Sequence, residues 1–206
     1  MAKTAYPQLH KAIKLAVKAH KKQDLDDAHP LPYVTHPLDV LNLLRYDAEV
    51  LDEEILCAAV LHDLLEETDV TEKEIAKDFG EEVLSLVKQM TRKESPPEVM
   101  DLPEDKRWQI RNDEMMDEID HMSEAAKKIK LADRCSNLRV ALRVRTGEKL
   151  ERYLGQSREI LEHIDREISP ALWDKIQKML GDADNVAKPK RKNLRENGVS
   201  GSTVTG

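Results

Sequence analysis

Leu9, Ile13, Ala16 and Val17 recur at intervals of three and four residues, the period of a helix with one buried face. Pro7 suits a first helical turn, where a backbone amide has no partner to lose, so the pattern predicts an amphipathic helix from Pro7 to Lys22. The segment 23–35, QDLDDAHPLPYVT, breaks this period with two prolines and three aspartates, and Pro37 is expected to open a second helix running to about Tyr46. From Asp52 to Glu67 the chain is acidic at first and then apolar from Ile55 to Leu61. That pattern belongs to a helix buried on all sides rather than lying on the surface.

Thr71 followed by Glu74 has the form of a capping box. It predicts a short helix to about Phe79, and Glu81 to Met90 forms another after Gly80. A polar stretch at 91–105 precedes helices expected at 106–119, 124–143, 147–166 and 170–180, the last opened by Pro170 and closed by Gly181. No segment alternates with period two, and no internal repeat is present. The expectation is therefore all-α: one bundle of about eight to ten helices over residues 1–181, around one metal site. Residues 182–206 lose the apolar period, carry KPKRK at 188–192 and end GVSGSTVTG, so this tail is expected to be disordered.

Composition narrows the function classes. Of 206 residues, 40% are hydrophobic and 35% charged, and three of the seven glycines (Gly198, Gly201, Gly206) fall in the last nine positions. A chain so poor in glycine favours helices. Lys plus Arg number 33 against 40 Asp plus Glu, a net charge of −7, which repels a phosphate backbone and argues against nucleic acid as a partner. Cys57 and Cys135 sit in apolar helical segments, and two such thiols make neither a disulfide framework nor a zinc knuckle. The N-terminal residues form no apolar signal core, and no run approaches the ~18 apolar residues of a membrane span. A cytoplasmic protein is expected.

Three local patterns carry candidate chemistry. His62-Asp63 is followed by Glu66-Glu67, so that in one helix the imidazole and three carboxylates would crowd a single end at spacings of three and four. Unpaired, they would repel one another and pay for desolvation, which a divalent cation relieves; a frayed, solvated helix end is the plain alternative. In Tyr33-Val34-Thr35-His36-Pro37 the residue before proline is pushed out of the helical region, so His36 projects from a helix entrance, as a ligand or an ordinary cap. In Lys130-Leu131-Ala132-Asp133-Arg134-Cys135-Ser136-Asn137, Lys130, Asp133 and Asn137 share one face, either as a site or as an internal ion pair. Taken together, His36, His62, Asp63 and Asp133 offer two nitrogen and two oxygen ligands, a mix that suits Mn²⁺ best among Mn²⁺, Fe²⁺, Mg²⁺ and Zn²⁺.

The order AH, PYVTHPLDV, AAVLHDLLEET, FG and KLADRCSNLR resembles the HD superfamily, and within it the hydrolase domain of RelA/SpoT-type enzymes and the stand-alone small alarmone hydrolases. The likeness spans roughly residues 5–180 and implies a one-metal, usually Mn²⁺, enzyme. Such an enzyme removes pyrophosphate from the 3′ position of guanosine 3′,5′-bis(diphosphate), or of its pentaphosphate relative, leaving GDP or GTP. By resemblance His36, His62, Asp63 and Asp133 match the metal ligands, and Glu66 and Glu67 match the acidic pair that orients or deprotonates water. Asn137 matches a nucleotide contact and Lys130 a phosphate contact. His20 matches the AH motif but faces the apolar side and is read as packed, not as a ligand; Trp108 and Trp173 are read as core.

Two departures bear on substrate. Leu25, Asp26 and Asp27 stand where the family has a basic, glycine-containing loop, with Lys21 and Lys22 nearby, and Glu67 stands where Asp is usual. Like charges at 26 and 27 repel a polyphosphate. The competing readings are another HD phosphohydrolase or nucleotidase acting on a different phosphorylated nucleotide, such as an adenine-based alarmone, and a non-catalytic nucleotide-binding HD module. The sequence does not fix the oligomeric state.

Overall fold

A computed structural model describes residues 6–25, 31–93 and 95–187. Its elements are α1 (Pro7–Ala19), α2 (Thr35–Asn42), a π turn (Leu43–Asp47), α3 (Glu53–Leu61), α4 (Leu64–Glu67), α5 (Glu72–Phe79), α6 (Glu81–Met90), α7 (Pro97–Met100), α8 (Glu104–His121), α9 (Glu124–Val144), α10 (Gly147–His163), a 3₁₀ turn (Arg166–Ile168) and α11 (Pro170–Ala187). Among the described residues the only β pairing is an isolated antiparallel bridge between Asp24 and Pro32. The all-α expectation holds.

The centre of the bundle is α3, and its sequence explains why. Asp52 caps it by accepting from the Glu54 amide at 2.8 Å and the Ile55 amide at 3.3 Å, and Glu53 and Glu54 place negative charge at the positive end of the helix. Leu56 to Leu61 are then buried without exception, because α3 is enclosed by α1, α2, α6 and α9. The same acidic start serves a neighbour: Oε1 of Glu53 accepts from the amides of Gln8 at 2.6 Å and Leu9 at 3.0 Å, satisfying the first turn of α1, which has no cap of its own. Helix α9 is the second buried element, with every residue from Leu131 to Ser136 inside.

The capping box of α5 forms as expected, with the Thr71 hydroxyl accepting from the Glu74 amide at 3.4 Å and Glu74 accepting from the Thr71 amide at 2.9 Å. Gly80, at φ 91°, makes the sharp link into α6.

Several boundaries differ from the sequence reading. Helix α1 ends at Ala19 rather than Lys22, and α10 at His163 rather than 166. The polar stretch before α8 holds the single turn α7. Helix α2 begins at Thr35, so Pro37 sits inside the first turn, where proline is tolerated. Helix α11 continues through Gly181 to Ala187, because Ala183 still packs on the core beyond the glycine; the boundary drawn at 181 is therefore not a helix end. The remainder of the expected tail, 188–206, lies outside the described residues, as do Asp26, Asp27 and His29.

Candidate metal centre and its cleft

The expected unbroken helix from 52 to 67 is interrupted at His62 and Asp63. The ring Nδ1 of His62 donates to the carbonyl of Ala59 at 2.8 Å, the acceptor that a continuing helix would offer to the Asp63 amide. Helix α3 ends at Leu61, and a new turn starts in which the Asp63 carbonyl accepts from the amides of Glu66 at 3.2 Å and Glu67 at 2.9 Å. This break turns the Asp63 carboxylate toward His62. Glu66 and Glu67 stay in the turn that Asp63 opens, so Asp63 and the two glutamates remain together beyond the break.

Three distant stretches of chain now converge. His36 from α2, His62 from the end of α3 and Asp133 from α9 each offer one ligand atom, and these atoms lie within 4.8 Å of one another. Nε2 of His36 is 3.3 Å from Oδ1 of Asp133 and 3.5 Å from Oδ2 of Asp63. Nε2 of His62 is 3.1 Å from Oδ1 of Asp63 and 3.8 Å from Oδ1 of Asp133. Ligands held at about 2.1 Å around one octahedral ion are about 3 Å apart, which is the scale of these separations. A second observation tests the fit: Nε2 of His62 is buried and has no hydrogen-bond partner, and because Nδ1 carries the proton donated to Ala59, Nε2 presents a lone pair toward the carboxylates once its own proton is lost. The donor set fits a divalent metal.

Outer contacts fix these groups. Nδ1 of His36 lies 3.1 Å from the Ser136 hydroxyl, and the Tyr33 phenol donates to Oδ2 of Asp63 at 2.6 Å. Asn137 donates through Nδ2 to Oδ1 of Asp133 at 2.5 Å, and Lys130 Nζ is 3.6 Å from Oδ2 of the same residue. Such partners orient ligating side chains. His20 is buried, with its ring 4.6 Å from that of Tyr33 and Nδ1 against Gln23, so it packs behind the site.

The electrostatics follow from this geometry. Burial alone would push the His62 imidazolium down, yet Asp63 and Asp133 outweigh it and hold it well above its ordinary value. Burial likewise opposes ionisation of Asp63, but His62 and its hydrogen bond lower that carboxyl to about 2. Asp133 is held well below the usual range by His36, His62 and Lys130 against its burial. Burial and the charge of Asp63 together keep the Tyr33 phenol protonated.

An HD domain family model matches residues 12–163. The chain belongs to the HD domain family. Among its HD relatives, guanosine-3′,5′-bis(diphosphate) 3′-pyrophosphohydrolase MESH1 of Xenopus tropicalis is 37% identical over 128 residues, which cover 62% of this chain and 66% of that protein, just short of two thirds. The Danio rerio protein of the same name is 29% identical over 175 residues, covering 83% of this chain and 91% of its own length. A solved structure described as a metazoan ortholog of SpoT that hydrolyzes ppGpp superposes with a TM-score of 0.76 at 28% identity, covering 88% of this chain and 98% of that one.

In this HD chain the candidate metal centre lies in a cleft of about 700 Å³. Glu66 and Glu67 line it but are exposed, and Glu66 accepts from the Arg92 amide rather than touching the four central residues. The opposite wall comes from elements that carried no candidate in the sequence reading: Arg107, Trp108 and Arg111 of α8, Arg145 just after α9, and Tyr153 and Gln156 of α10. Trp108 therefore belongs to the cleft wall and not to the core, whereas Trp173 packs on the core and donates Nε1 to the carbonyls of Leu161 and Ile164 at 3.3 and 3.2 Å. Arg107 and Arg111, one helical turn apart in α8, were the only spaced signal for that wall. Lys21 and Lys22 line a separate depression of about 530 Å³ that shares Glu66 and Glu67 with the cleft.

Proposed function

We propose that this chain is a Mn²⁺-dependent nucleotide 3′-pyrophosphohydrolase that degrades guanosine 3′,5′-bis(diphosphate)-type alarmones to GDP or GTP and pyrophosphate in the cytoplasm. The observation that carries the reading is the convergence of His36, His62 and Asp133, with Asp63 in contact, at the floor of a cleft whose wall carries Arg107, Arg111, Arg134 and Arg145 beside Glu104, Glu114 and Glu118. The names of the HD relatives support it. No helix among the described residues is long and apolar enough to cross a membrane.

In this reading His36, His62, Asp63 and Asp133 hold the metal. When bound, the ion polarises the scissile phosphoryl group and lowers the pKa of water. Glu66 and Glu67, open to solvent at the cleft, orient water and accept its proton. The water oxygen bonds to the phosphorus next to the ribose 3′-oxygen, the bond from that phosphorus to the 3′-oxygen breaks, and the 3′-oxygen takes up a proton as pyrophosphate leaves. Lys130 and Asn137, both on the α9 face beside Asp133, contact phosphate and nucleotide. Acidic residues at 26 and 27 in place of a basic loop favour a second reading, the same chemistry on another base, including adenine-based alarmones.

The test is an assay of the Mn²⁺-loaded protein against a panel of guanine and adenine nucleotides carrying 3′- and 5′-phosphates. Pyrophosphate release from the 3′-diphosphate is expected; release of orthophosphate alone overturns the assignment, and turnover restricted to adenine nucleotides selects the second reading.

A further inference from the structure

Arg134 follows the candidate ligand Asp133 on α9 and lines the same cleft, yet it is only 5% exposed. A buried guanidinium needs its donors filled. Here one is: Nη2 donates to Oε1 of Gln156 at 2.9 Å. Nε and Nη1 are buried and have no hydrogen-bond partner among the described residues. The cation is held in place by a polar relay along the cleft wall, in which Gln156 donates through Nε2 to Oδ1 of Asn112 at 2.9 Å and Asn112 donates through Nδ2 to Oε2 of Glu159 at 2.7 Å. Such a relay fixes one edge of the guanidinium and leaves the other unsatisfied.

A second cation converges on the same point. The Tyr153 ring has the Arg134 guanidinium 4.5 Å from its centroid and that of Arg145 at 4.4 Å. Two like charges share one aromatic ring, an arrangement that a bound anion would relieve. The Tyr153 ring lies against Arg134, whose Nε and Nη1 are buried, whereas Arg145 is already exposed at the cleft.

Resting on the proposed hydrolase reading, we infer that Arg134, Arg145 and Tyr153 form a second anion subsite that seats the non-scissile 5′-diphosphate of the nucleotide while the 3′-diphosphate lies at the metal. Planar guanidinia suit phosphate oxygens through paired N–H donors. The cleft then selects nucleotides phosphorylated at both ends over those with a single 3′ group, and Arg134 sets this choice through binding rather than through proton transfer.

The test uses Mn²⁺-loaded protein and two probes measured by calorimetry, guanosine 5′-diphosphate and inorganic pyrophosphate. Arg145→Ala, at an exposed position, and Arg134→Met are each expected to weaken the nucleoside diphosphate about tenfold or more, the loss of one or two charge-assisted hydrogen bonds. Pyrophosphate binding, which the metal centre governs, should change less than about threefold, and exposed Arg143→Ala controls for loss of one positive charge. Gln156→Leu removes the anchor of Arg134 while leaving the cation, and should weaken the diphosphate in the same direction if Arg134→Met proves unstable on thermal melting. In turnover, KM for the doubly phosphorylated substrate rises with little change in kcat, and KM for the 3′-diphosphate alone is unaffected. Equal weakening of both probes, or none in any variant, overturns the subsite. The calorimetric arm reads it even where no hydrolysis occurs, so failure of the hydrolase reading and failure of the subsite are separate results.

Discussion

The phenol of Tyr33 donates a 2.6 Å hydrogen bond to Oδ2 of Asp63, a residue thirty positions later that also contacts both site histidines. The bond helps to aim a carboxylate that the two imidazoles also hold. Tyr33→Phe keeps the ring packed against His20 and His36 and removes only the donor. Metal affinity is expected to fall about tenfold or more, as for other partners of metal-binding side chains, with little loss of thermal stability; unchanged affinity by metal titration would count against Asp63 as a ligand.

Replacing Asp63 and Glu66 should give different failures. Asp63→Ala removes a group at the centre and is expected to lose both metal and turnover. Glu66→Gln keeps the side chain in place beside the Arg92 amide and should retain metal while lowering kcat by about 10²- to 10⁴-fold, the usual span for an acid–base group. Metal analysis of the purified variants beside their kcat values checks both; metal lost equally from each would remove the division of roles.

With His62 as a ligand, metal and proton would compete for its Nε2. In the metal-free protein the raised value of His62 contributes stability that is complete below its ordinary 6.5 and disappears as pH climbs through the folded value. Asp63, lowered from 3.8 to about 2, contributes stability that is present above 3.8 and disappears as pH falls toward 2. The metal-free protein is thus most stable between these limits, and the rise in Tm caused by Mn²⁺ should grow from about pH 6 to about pH 8 as the proton is displaced. Thermal melting with and without Mn²⁺ across that range measures it; a pH-independent rise would argue that Nε2 is not a ligand.

Leu61 is completely buried and immediately precedes His62 at the end of α3. Leu61→Ala should cost about 3 kcal/mol from lost burial and the cavity left, and should loosen His62 as well. Thr71→Ala, which removes the remote capping box of α5, should cost about 1 kcal/mol and leave kcat unchanged. Chemical denaturation and metal titration of the pair separate stability from site geometry.

The bundle was legible in the sequence wherever one rule governed: apolar spacing set α1, the capping box of Thr71 and Glu74 set α5, Gly80 marked the start of α6, and the unbroken apolar run from Ile55 to Leu61 marked α3 as central. The same run hid the break after it, since nothing in HDLLEE reveals that the His62 ring takes the Ala59 carbonyl. That bond depends on burial supplied by other helices. Three separated motifs also brought the four central residues into one neighbourhood without showing which contacts they make. The far wall of the cleft was not legible, because Arg134, Arg145, Tyr153 and Gln156 form no spaced motif; their meeting depends on how α10 crosses α9. Gly181 misled for a related reason, as packing of the turn beyond it overrode its weak helix preference.

The two cysteines have a practical consequence. Cys57 and Cys135 are free and completely enclosed, and burial pushes their thiols up to about 12 and about 11. Neither can form the thiolate that alkylating reagents and peroxide attack. The two cysteines of the folded protein should therefore resist oxidation without a reductant present, and labelling by a thiol-specific dye becomes an internal clock for global unfolding, since both sulfurs meet the reagent only when the helices around them come apart.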